Sequence, residues 1–246
     1  MDADFLLHSI IIAFFAGVQS VFGMGILVFG TPTFLLLGYD FTQTLGFLLP
    51  ASLLISIAQV FLFKGERPPI SKSLYVFCLP AIGLSLFVAI SSDLTRHAYI
   101  LVAVALVFSA AARTLPQVQA VLRKFITRNL KLYHIVMGGV HGVTNMGGAL
   151  LAVMAATVHK DKTNARYIIA VYYMTFVLIQ ALVLVSTSGA DIFNQGLMLA
   201  PISIIVYFIL GNRMFNAINN TSFQTGMNFF LVLYAVVLIA KWAGFS

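Results

Sequence analysis

Charge is what this chain most lacks. Only 9% of its 246 residues are Asp, Glu, Lys or Arg, against roughly 25% in a soluble domain. With 61% hydrophobic residues and a mean hydropathy of +1.00, a water-soluble globule is excluded. Cysteine is nearly absent, and the single Cys78 can build neither an intrachain disulfide nor a thiolate metal cluster. The seven carboxylates, Asp2, Asp4, Asp40, Glu66, Asp93, Asp161 and Asp191, all fall in termini or connectors. A relay of intramembrane acids for proton or sodium coupling is therefore disfavoured. That leaves His141, uniport, or coupling through the substrate's own charge and protonation. No Gly-x-x-x-x-Gly-Lys-Ser/Thr run occurs, so no ATP-driven machinery is expected. His8, His97, His134, His141 and His159 are scattered, with no metal-ligand pair at helical spacing. Neither an enzyme nor a metal or cofactor site is expected.

What the chain does have is apolar length. Segments run from Phe5 to Leu37, Phe41 to Phe63, Leu74 to Ile90, Ala98 to Ala112, Leu132 to Val158, Tyr167 to Val185, Leu197 to Leu210 and Phe223 to Lys241. Their lengths are those that bilayer thickness imposes on spanning helices. The first carries Asp2 and Asp4 ahead of it and no Lys or Arg, and it continues past Leu37, so it reads as mature structure rather than a signal peptide. A basic connector divides the rest: residues 1–115 form a first transmembrane repeat, 116–131 the connector, and 132–246 a second repeat. Gly17, Val18, Val21, Met24 and Gly25 recur 122 positions later as Gly139, Val140, Val143, Met146 and Gly147. Asp40, Thr42, Gln59 and Pro80 recur at an offset of 121 as Asp161, Thr163, Gln180 and Pro201. The expected fold is thus all-α integral membrane, two homologous halves of four apolar segments. Each half has a broken or re-entrant first segment plus three spanning helices.

Phe5 to Leu37 would make a straight helix of about 50 Å, against a hydrocarbon core of about 30 Å. The first segment of each half is also interrupted, through Gly17-Val-Gln19-Ser20-Val-Phe-Gly23-Met-Gly25 and Gly139-Val-His141-Gly142-Val-Thr144-Asn145-Met-Gly147-Gly148. Either each is a broken full span or each is a re-entrant hairpin. If all eight segments cross, Lys and Arg divide nine to five between the two sides; if segments one and five are hairpins, they divide twelve to two, with Arg96 and Lys241 in the minority. The positive-inside rule favours hairpins. Both termini are then expected outside, with the basic loops cytoplasmic, and an odd number of crossings per half makes the halves inverted repeats.

Interrupted backbone at membrane depth must face protein or a watered cavity, and a helix restarting after a break aims its N-terminal amides there. Two such ends converging make an anion site. Glycine at Gly23, Gly25, Gly147 and Gly148 lets backbone approach a ligand. Gln19, Ser20, His141, Thr144 and Asn145 offer side-chain donors, and His141 could also carry a coupled proton. Gln59 and Gln180 match between the halves, deep within apolar segments. The competing reading is that these glycines serve close helix packing and the polar groups bond between helices.

These paired glycine-rich breaks, the first leading through Gly30-Thr-Pro32, resemble the sulfite exporter TauE/SafE family. The likeness spans nearly the whole chain, including the late Gly211-Asn-Arg213 connector before a final apolar helix. The resemblance implies a secondary transporter of the cell inner membrane for sulfite, an organosulfonate, or a related sulfur-containing or carboxylate anion. The expected partners are that small anion, the lipid bilayer and a proton or other coupling ion. Nucleic acid is not expected, because the basic residues sit in short connectors. A passive anion channel is the near alternative, and a non-transporting membrane assembly or signalling partner a more remote one. Oligomeric state is not legible.

Overall fold

A computed structural model describes residues 3–92, 98–159 and 161–217, with positions 225, 229, 232–234, 236, 237 and 240 of the C-terminal segment. Asp2, Asp93, Arg96, His97, Lys160, Lys241 and much of the last apolar segment lie outside the described residues. Helices account for nearly all of what is described: α1 (Ala3–Phe22), α2 (Ile26–Leu36), α3 (Phe41–Phe61), α4 (Leu79–Ser91, entered through a π turn at Leu74–Cys78), α5 (Ala98–Thr114), α6 (Pro116–Arg128), α7 (Leu130–Thr144), α8 (Gly147–Val158), α9 (Lys162–Ser188), α10 (Asn194–Val206) and α11 (Asn212–Ala217). No strand occurs among the described residues. Five helical stretches there are apolar and long enough to cross a membrane: Asp4–Phe22, Phe41–Phe61, Leu74–Ser91, Lys162–Ser188 and Ala190–Gly211.

Polarity is turned inside out relative to a soluble protein. Gln19, His141 and Gln180 are 0% exposed, while Leu84 is 66% and Leu182 68% exposed. Such a surface is at home in lipid and costly in water, since burying apolar area is worth about 25 cal/mol per Å². These are the helices of a multi-pass membrane protein.

The first apolar segment is a hairpin. α2 and α8, at 11 and 12 residues, are only about 16 and 18 Å long at 1.5 Å per residue, too short to span. α2 doubles back along α1: Phe15 stacks on Phe29 with ring centroids 6.2 Å apart, and His8 Nε2 lies 2.7 Å from the Tyr39 hydroxyl. The segment therefore enters and leaves at one end of the molecule. α7 and α8 fold back in the same way, with Tyr133 donating its hydroxyl hydrogen to the Leu150 carbonyl at 2.8 Å.

Long helices set the directions. α3 and α9 run antiparallel, since Phe63 just past the end of α3 meets Tyr167 near the start of α9 at 4.4 Å between rings. α10 lies parallel to α3, with Gly196 against Gly46 and Ser203 Oγ donating to the Ala51 carbonyl at 3.1 Å. α7 lies parallel to α4, because Gly138 seats on the Cys78 carbonyl and Gly142 on that of Ile82. α1 lies parallel to α10, Gly17 nearing Val206 and Gly211 nearing Ser20. The long arm of each hairpin thus packs on a helix from the other half.

Charge separates along the same axis. Ser73 Oγ meets His134 Nδ1 at 3.1 Å and Lys162 Nζ donates to the Phe215 carbonyl at 3.3 Å. Those contacts and the Phe63–Tyr167 pair bring the Lys64–Lys72 loop, the start of α7, the start of α9 and α11 to one end. Glu66 and Asp161 are there too. At the other end His8 joins Tyr39 and Gln195, so Asp4, Asp40 and Asp191 gather. The connector between halves is helical: α6 buries Leu122 and Ile126 while exposing Arg123, Lys124 and Arg128, the pattern of a helix lying on an interface.

Pro32, Pro50 and Pro201 all lie inside helices, where each removes one backbone bond without ending the helix. The long helices start on matched caps, Asp40 accepting from Gln43 N at 2.8 Å and Asp161 from Asn164 N at 2.9 Å. Asp40→Ala and Asp161→Ala are each expected to lower stability by about 1 kcal/mol, read as a drop in the thermal midpoint of the purified protein in detergent.

Candidate functional site

Each break turns through one left-handed residue, Gly23 at φ +74° and Asn145 at φ +60°, which occupy equivalent positions 122 apart. Glycine adopts that region freely and asparagine tolerates it. The same backbone bond closes each turn: Gly23 N donates to the Gln19 carbonyl at 2.8 Å, and Asn145 N to that of His141 at 2.7 Å. Gly25 and Gly147 then let the short helix leave against the long one. A Cβ on Gly25 would lie 2.5 Å from Gln19 N, and one on Gly147 2.5 Å from His141 Cβ.

In the first break Gln19 donates through Nε2 to Ser52 Oγ at 3.1 Å and Ser56 Oγ at 3.4 Å. Its Oε1 accepts from Ile26 N, the first amide of α2, at 3.2 Å. Ser20 Oγ is turned back onto the Ala16 carbonyl at 2.6 Å. Gln59 Nε2 donates to buried carbonyls near the end of α1, that of Gln19 at 3.2 Å and that of Ser20 at 3.4 Å.

In the second break Gln180, the counterpart of Gln59, again comes from the long helix of its half. Its Oε1 lies 3.2 Å from His141 Nε2, and its Nε2 donates to Asn145 Oδ1 at 3.3 Å. Asn145 Nδ2 donates across to Thr31 Oγ1 of α2 at 2.9 Å. Thr144 Oγ1 bonds the Val140 carbonyl at 2.6 Å and accepts from Met146 N at 3.1 Å. The breaks meet at the centre, where Val28 of α2 lies 2.9 Å from the Cβ position of Gly148 and Tyr173 OH packs against the same glycine.

No family model, curated protein or solved structure matches this chain.

All eleven residues singled out from sequence therefore lie at or beside the two breaks. Most of their side-chain donors are already paired, however. Gln19, Ser20, Thr144 and Asn145 are spent on neighbouring protein atoms, because the ends of α1 and α7 and the first amides of α2 and α8 need partners. A cavity of about 330 Å³ lies elsewhere, between α3, α9 and α10, lined by apolar side chains such as Leu49, Leu53, Val177 and Leu197.

Sequence reading missed Ser52, Ser56, Tyr173 and Thr31. A signal existed for three of them. Ser52, Ser56 and Gln59 follow i, i+4, i+7 spacing on α3, and Tyr173 and Gln180 follow i, i+7 on α9, so each set shares a helix face with a glutamine already noted. Arg166, near the start of α9, lies beside the first break. Its Nη1 donates to the Ser20 carbonyl at 3.3 Å and its guanidinium lies 3.6 Å over the Phe215 ring. A cation at the end of α1 complements the negative end of that helix, and Arg166 has no carboxylate partner among the described residues.

Proposed function

We propose that this chain is a secondary transporter that moves a small anion across a bacterial inner membrane. The anion is sulfite, an organosulfonate, or a related sulfur-containing or carboxylate anion, and it binds between the two breaks. The observation that carries this reading is the meeting of α2 and α8 at their first turns, inside protein and at equivalent positions of the two halves. Two helix N-termini aimed at one point attract negative charge, and no carboxylate stands among the break residues to oppose it. Arg166 adds a positive charge on the side of the first break.

The packing supports a cycle of alternating access. We read the halves as inverted repeats, a reading supported by the antiparallel run of α3 and α9 and by the seating of each hairpin's long arm on the opposite half. Rocking one half against the other would open the central point first to one side and then to the other. The basic end faces the cytoplasm by the positive-inside rule.

The test is counterflow of labelled sulfite in proteoliposomes, with a panel of sulfonates and carboxylates as competitors. His141→Ala and Asn145→Ala are expected to lower the initial rate at least about ten-fold, the loss of one charge-assisted hydrogen bond, while both variants still insert. Wild-type rates in both variants would remove the breaks as the site. A wild-type protein that moves no anion in the panel would remove transport altogether. High unitary conductance under voltage clamp, without saturation, would make the protein a channel.

A further inference from the structure

The two breaks share a backbone but not a set of side chains. Gln19, Ser52 and Ser56 of the first half correspond to His141, Tyr173 and Val177 in the second. In the first half this trio closes on itself, and Gln19 Oε1 also takes the leading amide of α2. The buried polar atom left over beside that break is Gln59 Oε1, an acceptor that repels an anion.

The second half leaves two atoms over, His141 Nδ1 and Tyr173 OH. Both residues are 0% exposed. Both flank the N-terminus of α8: His141 Nδ1 is 3.0 Å from the Cβ position of Gly147, and Tyr173 OH packs against Gly148. The two rings stand perpendicular at 6.3 Å between centroids. Of the first-turn amides of α8, Ala149 N donates to the Met146 carbonyl at 3.3 Å, and those of Gly147 and Gly148 have no acceptor within their own helix. Leaving a buried polar group without a partner costs about 1–3 kcal/mol, so two such groups beside a helix N-terminus mark a place where a polar ligand is stabilised.

His141 can serve as a donor there without gaining charge. The row His141 Nε2, Gln180, Asn145, Thr31 Oγ1 is a chain of single hydrogen bonds. Reversing both amides and the hydroxyl keeps every link and moves the ring hydrogen from Nε2 to Nδ1. An anion at Nδ1 selects that arrangement.

We propose that the second break alone supplies the contacts to the ligand, a small oxyanion held by the Gly147 and Gly148 amides, the Tyr173 hydroxyl and His141 Nδ1–H. The first break is its structural counterpart: it faces the ligand where α2 and α8 meet and holds it through no side chain, since Gln19 is already paired. This rests on the transport reading only for the ligand being a small anion.

Binding is measured on the purified full-length protein in detergent as thermal stabilisation by sodium sulfite, isethionate or acetate, against sodium chloride at equal ionic strength. Wild type is expected to be stabilised by at least one of the three. Tyr173→Phe and His141→Gln should raise the half-saturating concentration of that anion about ten-fold or more, and Ser52→Ala should leave it within about two-fold. Tyr173→Phe removes an unpaired hydroxyl, so its ligand-free midpoint should match or exceed wild type, which separates lost binding from lost folding. In ¹⁵N-histidine spectra, the anion should move the ring hydrogen of one histidine, the one whose signal His141→Gln deletes, from Nε2 to Nδ1. Unchanged half-saturation in Tyr173→Phe and His141→Gln, or an equal loss in Ser52→Ala, would overturn the proposal. Counterflow tells the two readings apart. Stabilisation lost in these variants without wild-type counterflow keeps the site and removes transport. Counterflow unaltered in the variants keeps transport and removes the site. A wild type neither stabilised nor transporting removes both.

Discussion

Gly147→Ala is expected to destabilise the protein by about 3 kcal/mol or more, at the upper end of overpacking costs. The added methyl would lie 2.5 Å from His141 Cβ and 3.0 Å from both Cγ and Nδ1 of the same ring. His141 cannot step aside cheaply, because its Nε2 is held by Gln180 and its ring packs on Phe176 at 4.6 Å between centroids. Gly25→Ala meets backbone instead, Gln19 N at 2.5 Å and the Phe15 carbonyl at 3.0 Å, and should be at least as damaging. Gly139→Ala is the control on the same helix as His141. Nothing lies within 4 Å of its Cβ position, and alanine is the better helix former by about 1 kcal/mol, so that variant should be neutral or slightly stabilised. Thermal midpoints in detergent for the three variants decide the matter. Equal midpoints for Gly147→Ala and Gly139→Ala would mean that α7 and α8 do not approach as described.

Gln180→Leu should cost about 3 kcal/mol and Gln59→Leu only about 1 kcal/mol, although the two glutamines are counterparts. Without Gln180, His141 Nε2 and Asn145 Oδ1 both lose their partner in a buried site, and each orphan carries roughly 1–3 kcal/mol. Without Gln59, the Gln19 carbonyl keeps Gly23 N and the Ser20 carbonyl keeps Arg166. The two losses therefore differ in how many groups they strand. A double-mutant cycle between Gln180 and Asn145 should show coupling on the order of 1 kcal/mol or more. Additive effects of Gln180→Leu and Asn145→Ala would mean that the row of bonds from His141 to Thr31 is not a unit.

Matched polar residues were the best guide to the two breaks. Asp40 and Asp161, and the pair Gly25 and Gly147, each perform the same local task in both halves, while Gln59 and Gln180 both reach the end of a hairpin arm, one to backbone and the other to side chains; each pair stood out because polar or small residues seldom recur by chance in apolar sequence. Matched glycines were less informative. Gly17 and Gly139 recur at the same offset, yet Gly17 has only Val206 at 3.9 Å and Gly139 has no neighbour within 4 Å. Gly138 and Gly142, which seat α7 on α4, have no glycine counterpart in the first half. Whether a glycine matters depends on the helix facing it, and that helix lies elsewhere in the chain.

By itself the sequence determined the solvent and the punctuation. Residence in lipid follows from 61% hydrophobic and 9% charged residues, because transfer free energy is a sum over side chains and needs no partners. The two interruptions follow from glycine and polar residues in segments too long to cross straight. Tertiary structure decided the direction of the chain after each interruption, and which polar groups remain open there. α1 has 20 residues, enough to cross, and only the stacking of Phe15 on Phe29 and the bond between His8 and Tyr39 make it the arm of a hairpin. Gln19 and His141 looked alike as donors. Two serines on α3 close around the first, while a tyrosine on α9 stands open beside the second, because hydrogen-bond satisfaction belongs to neighbours in space, and those three residues lie 32 to 37 positions away in the chain.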